Sequence, residues 1–151
     1  MKKVVIYTDG SSLGNPGPGG WCGILIYNGK RKIISGGEPY STNNRMELTA
    51  VVKSLQALKE PCEVELYTDS EHVVKGLKEW LDNWIKKGWK TSKNEEIKNK
   101  DLWQELDRLR KIHKLNPIWV KGHNNDSLNE ECDKIAKKEA EKWKLNFDKS
   151  Q

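Results

Sequence analysis

Two aspartates close two matching runs of the chain. Asp9 ends Val4-Val5-Ile6-Tyr7-Thr8-Asp9, and Asp69 ends Val64-Glu65-Leu66-Tyr67-Thr68-Asp69. Both runs have strand character, and strand side chains alternate between faces, so the Tyr and Asp of each copy point the same way. If the runs lie side by side, the two carboxylates meet at one edge of a sheet. Carboxylates about 6 Å apart repel by roughly 3 kcal/mol at an effective dielectric near 20, and burial adds to the penalty. A cation held between them removes both difficulties.

Glu47 and Asp133 extend the set. Helical spacing places Glu47 above Val51 and Leu58, on a core-facing side where solvation does not account for an acid. Its simpler role is electrostatic, as the acidic third residue of a helix capped by Asn44. Asp133 shares a helical face with Ala136 and Ala140, and taken alone it reads as a solvated or ion-paired residue. Taken together, four carboxylates at element ends or on core-side faces require cations or raised pKa values. Hard oxygen donors without a neighbouring Cys/His pair favour Mg²⁺ or Mn²⁺ over zinc. Four negative charges balance two divalent ions, the arrangement that serves in-line phosphoryl chemistry. His123, in the glycine-flanked loop Lys121-Gly122-His123-Asn124-Asn125, is either an exposed bystander or a proton carrier titrating near neutrality.

The elements that must position these residues follow from pattern. Strands are expected over 3–9, 20–27 and 31–38, with Asn28-Gly29 as the turn between the last two. The Gly/Pro-rich segment 11–20 lacks the Gly-Lys-Ser/Thr ending of a phosphate cradle and reads as a long hairpin connection. A helix is expected over 44–59, with Asn44 as its cap and Leu48, Val51, Val52, Leu55 and Leu58 as its apolar stripe. After the second Tyr-Thr-Asp strand, Ser70 caps a helix carrying Val73, Val74 and Leu77. Gly76 should weaken it, and a second helix with Trp80, Leu81, Trp84 and Ile85 runs to Gly88. A polar, lysine-rich loop over 89–100 leads to a helix over 101–112 that buries Leu102, Leu106 and Leu109. Residues 115–120 form a last strand, which Pro117 marks as an edge or a bulge. Ser127-Leu128-Asn129-Glu130 resembles a capping box opening a final helix to about Trp143, with a frayed tail from Leu145. Hairpin strands followed by alternating strands and helices predict an α/β layer on a mixed sheet, within a single domain over 1–144 and a tail over 145–151.

Composition narrows the class. The chain has 151 residues, 35% hydrophobic and 32% charged, enough for one substantial core. No apolar stretch reaches the roughly 20 residues of a membrane span. The start enters a strand directly, without the apolar segment of a signal peptide, so cytoplasmic residence is expected. Cys22, Cys62 and Cys132 are too dispersed for a disulfide framework or a zinc site. The net charge is +5, and residues 75–100 carry eight lysines against four acids, which concentrates the excess locally. Such a region points to an anionic polymer as partner. Within it, Trp80, Trp84 and Trp89 alternate with Lys86, Lys87, Lys90 and Lys93. Trp80 and Trp84 could form a core stripe, but Trp89 lies beyond Gly88 with little core to fill.

The ordered words Asp9-Gly10-Ser11, Asn43-Asn44-Arg45-Met46-Glu47-Leu48, Thr68-Asp69-Ser70, Trp119-Val120-Lys121-Gly122-His123 and Asn129-Glu130-Glu131-Cys132-Asp133 resemble type 1 ribonuclease H, from Val4 to about Ala140. The resemblance implies a ribonuclease H-like α/β fold, with a five-stranded mixed sheet of order 3-2-1-4-5 and helices on both faces. It implies an endonuclease that cuts the RNA strand of an RNA/DNA hybrid, leaving a 3′-hydroxyl and a 5′-phosphate; since nothing in the sequence suggests an extra apolar interface, a monomer is expected. Asp9, Glu47, Asp69 and Asp133 would hold two Mg²⁺ ions (Mn²⁺ as substitute) that activate water and stabilise the leaving oxygen. His123 would assist proton transfer or product departure. The tryptophan-lysine segment resembles a basic protrusion that grips the DNA strand through Trp80, Trp84, Lys86, Lys87, Trp89 and Lys90. Gly10 and Asn43 would contact the RNA, while Thr42 and Asn83 match positions that hold a DNA phosphate. Two departures stand out: Tyr40 where some members have arginine, and Glu71 where glutamine is commoner beside the RNA.

Two other functions compete. A transposase-like or exonuclease domain of the same fold would generally lack the protrusion and the Gly-His loop. A non-catalytic nucleic-acid binder would gain by losing acids that repel phosphate, yet all four are present.

Overall fold

Apolar alternation in the first three strands and the two parallel runs builds one mixed sheet. The computed structural model describes residues 1–122 and 127–150. Strands β1 (Lys2–Ser12), β2 (Gly17–Tyr27), β3 (Lys30–Ser41), β4 (Cys62–Thr68) and β5 (Lys114–Trp119) lie in the order β3-β2-β1-β4-β5. β1, β2 and β3 are antiparallel neighbours, while β4 runs parallel to β1 and β5 parallel to β4. Asn28 and Gly29 both take positive φ, 53° and 79°, as the two-residue turn between β2 and β3 requires. β1 and β2 are longer than expected, ending at Ser12 and beginning at Gly17, so most of the Gly/Pro-rich segment is strand rather than loop. Pro117 sits on β5, an edge strand, where its missing donor faces no partner.

Helices cover both faces. α1 (Asn43–Gln56) and α4 (Lys100–Ile112) enclose the larger core, which includes Ile6, Leu48, Val51, Leu55, Val64, Leu66 and Trp103. α5 (Ser127–Ser150) closes the other face over Cys22, Ile24, Cys132 and Ala136. It runs past Trp143 to Ser150, because no Gly or Pro interrupts the sequence 143–150. No helix among the described residues is long and apolar enough to cross a membrane.

Three local expectations are corrected. The cap of α1 is Thr42, whose Oγ1 accepts from Arg45 N at 3.2 Å, and not Asn44. Between α2 (Glu71–Lys75) and α3 (Leu81–Lys86), Gly76–Trp80 forms a π turn, so the two helices are one rod with an extra residue in a single turn. A Cβ on Gly76 would lie 2.0 Å from the Trp103 ring, so the glycine allows close packing instead of breaking the helix. On α4, Leu106 and Leu109 are buried as expected, but the third buried side chain is Trp103, and Leu102 is only partly covered.

Candidate active site

The strand word does what alternation predicts. Tyr7 pairs with Tyr67 in the parallel register of β1 and β4, and their rings stack 4.7 Å apart at 10°. Two residues further on, past the last rung of the β1–β4 ladder, come Asp9, still within β1, and Asp69, just beyond the end of β4. Gly10 brings in the third acid. A Cβ there would stand 2.2 Å from the carbonyl carbon of Met46, so glycine is what lets α1 press its backbone onto β1. That approach lets Gly10 N donate to Asp9 Oδ1 at 2.8 Å and to Glu47 Oε1 at 2.6 Å. With Thr42 as cap, Glu47 lies beyond the first turn and does no capping; it is turned inward at 7% exposure, and Asp9 at 4%.

One ligand oxygen each from Asp9, Glu47 and Asp69 falls within 4.8 Å of the other two. Asp133 lines the same cleft, an open concavity of about 420 Å³ that also includes Gly10, Asn43, Asn44, Ser70, Glu71 and His72. It stands outside the tight trio and pairs with Lys137 Nζ at 3.0 Å. Three of the four predicted acids thus converge, and the fourth borders them. His123 lies outside the described residues.

The electrostatics carry the mark of crowding. Burial pushes the Asp9 carboxyl up to about 7, and the charges of Asp69 and Asp133 push the same way against the hydrogen bonds from Glu47 and Gly10. Burial also raises Glu47 well above the usual carboxylate range, reinforced by its hydrogen bond to Asp9 and by the charges of Asp9 and Asp69. Asp9 Oδ2 is buried without a hydrogen-bond partner among the described residues. An orphaned acceptor beside two more carboxylates is a fitting place for a hard divalent cation.

Around the trio, Asn43 is held in a way the sequence did not announce. Its Oδ1 accepts from Ser12 N at 2.8 Å and Ser12 Oγ at 3.1 Å, while its N–H donates to Asn15 Oδ1 at 3.1 Å. The Gly-Asn-Pro-Gly segment is thus a brace for the cleft as well as a connection. His72 was also missed; it lines the cleft and its ring lies 5.4 Å from Trp80 and 5.5 Å from Trp103.

Beyond α2, the tryptophans serve two ends. Trp84 lies 5.3 Å from the Trp103 ring, 5.8 Å from Trp80 and 6.5 Å from Trp89, so the cluster is partly core. Its outer side forms a notch of about 240 Å³ with Trp80, Asn83, Trp84, Lys87 and Lys90. Lys86, Lys87 and Lys90 are exposed, as is Tyr40 at 72%.

A mixed sheet with an acidic, cation-fitting cleft at the exit of two parallel strands belongs to a class of metal-dependent hydrolases. The family model described as RNase H matches residues 1–141. Ribonuclease H of Acetivibrio thermocellus is 57% identical over 143 residues, covering 94% of this chain and 97% of that protein. Ribonuclease H of Hahella chejuensis is 57% identical over 136 residues, covering 90% and 92%. Among solved structures, LC9-RNase H1, a type 1 RNase H with the type 2 active-site motif, matches at a TM-score of 0.85 and 31% identity, over 95% of this chain and 74% of that one. LC11-RNase H1 in complex with RNA/DNA hybrid shares the fold at a TM-score of 0.69 and 22% identity, over 92% and 97%. The chain belongs to the RNase H family.

Proposed function

We propose that this chain, as one domain over 1–144, hydrolyses the RNA strand of RNA/DNA hybrids, leaving 5′-phosphate and 3′-hydroxyl ends. The observation that carries the reading is the convergence of Asp9, Glu47 and Asp69 within 4.8 Å around an orphaned buried oxygen. Asp9, Glu47, Asp69 and Asp133 would hold two Mg²⁺ ions, with Mn²⁺ as a substitute. When bound, such ions lower the pKa of water and neutralise charge on a phosphoryl group. The chain's own contribution is placement. The Gly10 N–H fixes two carboxylates, and Asn43, braced by Ser12 and Asn15, stands at the cleft edge where a ribose 2′-hydroxyl would mark the strand as RNA.

His123 would carry a proton to or from the leaving group. On the DNA side, Thr42 and Asn83 would receive a phosphate, and the notch of Trp80, Trp84, Lys87 and Lys90, with Lys86 and Trp89 beside it, would follow the backbone. All four acids come from one chain, which supports a monomer. Three free cysteines suit the reducing cytoplasm.

Labelled hybrid, single-stranded RNA and duplex DNA, each with and without Mg²⁺, test the reading. Cleavage confined to the RNA of the hybrid and dependent on the metal is expected. Cutting of plain duplex DNA, or hybrid binding with no cleavage, would overturn it.

A further inference from the structure

We infer that Trp119 is a positioning residue for Asp69, acting through its indole N–H. It rests on the hydrolytic reading of the cleft and adds a residue that neither metal nor hybrid need touch. Trp119 closes β5 opposite Thr68 in the parallel register, where β4 gives way to the turn bearing Asp69. Its side chain has no core to fill: Trp119 is 45% exposed and belongs to neither apolar cluster. An exposed indole at a strand end therefore needs another reason to be there.

Its N–H supplies one. Trp119 Nε1 donates to the main-chain carbonyl of Asp69 at 3.1 Å. The next residue, Val120, donates its N–H to the Thr68 carbonyl at 2.9 Å. Consecutive residues of the edge strand thus hold consecutive carbonyls of the catalytic turn. This happens at the point where the sheet ladder ends and a carbonyl would otherwise lose its partner. On the following side, Ser70 caps α2 through Val73 N, and Ser70 N donates to Thr68 Oγ1 at 3.0 Å. The Asp69 peptide is therefore tied on both flanks, and its carbonyl direction fixes where the carboxylate leaves the backbone. The chain then leaves β5 and reaches Gly122, where a Cβ would approach Asp69 Oδ2 to 2.9 Å. The segment just past β5 is the wall against which this carboxylate is set.

A group that orients a metal-binding carboxylate from behind acts like an outer-shell partner, whose loss typically costs 10–100-fold in metal affinity or activity. Trp119→Phe keeps an aromatic ring and deletes the donor; Trp119→Ala deletes both. Each variant is compared with the wild type in hybrid cleavage at saturating Mg²⁺, in calorimetric Mg²⁺ titration without substrate, and in thermal unfolding. Both variants should lose about 10-fold in kcat and in Mg²⁺ affinity, with the hybrid KM held within about twofold. A Phe variant with wild-type kcat and Mg²⁺ affinity overturns the inference, whatever the Ala variant does. So does a raised KM at unchanged kcat, which would make the exposed ring a substrate contact. The same holds if activity falls only in proportion to unfolded protein. Failure of the wild type to cleave hybrid would instead remove the functional reading, while the Mg²⁺ titration would still judge Trp119.

Discussion

The acidic cleft and the tryptophan-lysine notch sit at two ends of one helical rod, yet they hold their charges in opposite ways. In the cleft, Asp9 and Glu47 are buried, share one backbone donor and have raised pKa values, and one oxygen has no partner. The fold is working against itself there. In the notch, Lys86, Lys87 and Lys90 are exposed on a surface backed by ring contacts among Trp80, Trp84, Trp89 and Trp103. Their charge burdens folding little, because water solvates it. Cation-dependent chemistry needs desolvated charge, whereas grip on a polyanion needs only surface charge. Cleft mutations should therefore trade activity against stability, and notch mutations should change binding alone.

The sharpest break in this contrast is Asp9→Asn. Hybrid cleavage should fall by on the order of 10³-fold or more, while the metal-free protein becomes more stable. The sign follows from linkage. The Asp9 carboxyl has an ordinary value of 3.8 and is raised to about 7 in the fold, so its favourable contribution is complete below pH about 4 and is lost as pH rises through 7. At pH 8 the ionised group costs roughly 2–4 kcal/mol, which asparagine removes. Urea unfolding in EDTA should show wild-type stability falling between pH 4 and 8, with a flatter profile for the variant. Equal slopes would mean that the cleft stores no electrostatic penalty and that the comparison fails at its root.

Next in size is removal of the basic grip. Lys86→Ala, Lys87→Ala and Lys90→Ala combined should weaken hybrid binding about 10–30-fold near physiological salt. The slope of log K against log salt should also flatten by about 2–3. Unfolding free energy should stay within about 0.5 kcal/mol of wild type, as expected for exposed positions. A large drop in kcat at saturating hybrid would mean that the two regions are not separable.

What the sequence disclosed follows the same division. The Tyr-Thr-Asp repeat was legible because strand alternation is local, and Tyr7 stacking on Tyr67 is its direct result. The Asn28-Gly29 turn was legible because positive φ restricts residue type. The cap of α1 was misplaced by two residues, since the spacing of Asn44 and Glu47 imitates a cap with an acidic third residue, whereas Thr42 caps the helix. Its neighbour Asn43 is held by Ser12 and Asn15, some thirty residues away, which no local pattern announces. Trp103 was overlooked because its burial depends on Gly76, on a different helix. Asp133 taken alone reads as a solvated or ion-paired residue, and it does pair with Lys137; its place on the cleft wall, outside the trio, depends on how α5 lies across β2, which no local pattern encodes.

Glu71 offers the smallest and most diagnostic test, because it belongs to both regions. It opens α2, the rod that leads to the notch, and its side chain lines the cleft, paired loosely with Lys75 at 3.9 Å. An acid here sits where cations are wanted and phosphates must pass. At 6–8 Å through water, repulsion of one phosphate charge is about 0.5–0.7 kcal/mol. Glu71→Gln should thus lower the hybrid KM about two- to threefold at low salt, and less at high salt as the charge is screened. The Mg²⁺ midpoint should rise by about as much, because one attractive charge is lost from the rim. Thermal stability should fall slightly, since an acid in the first turn of a helix contributes about 0.3–1 kcal/mol. Steady-state kinetics across salt and Mg²⁺ concentrations separate these effects. A KM indifferent to the change at low salt would put the hybrid away from the first turn of α2, and the rod could then not be the element that carries one substrate from grip to cleavage.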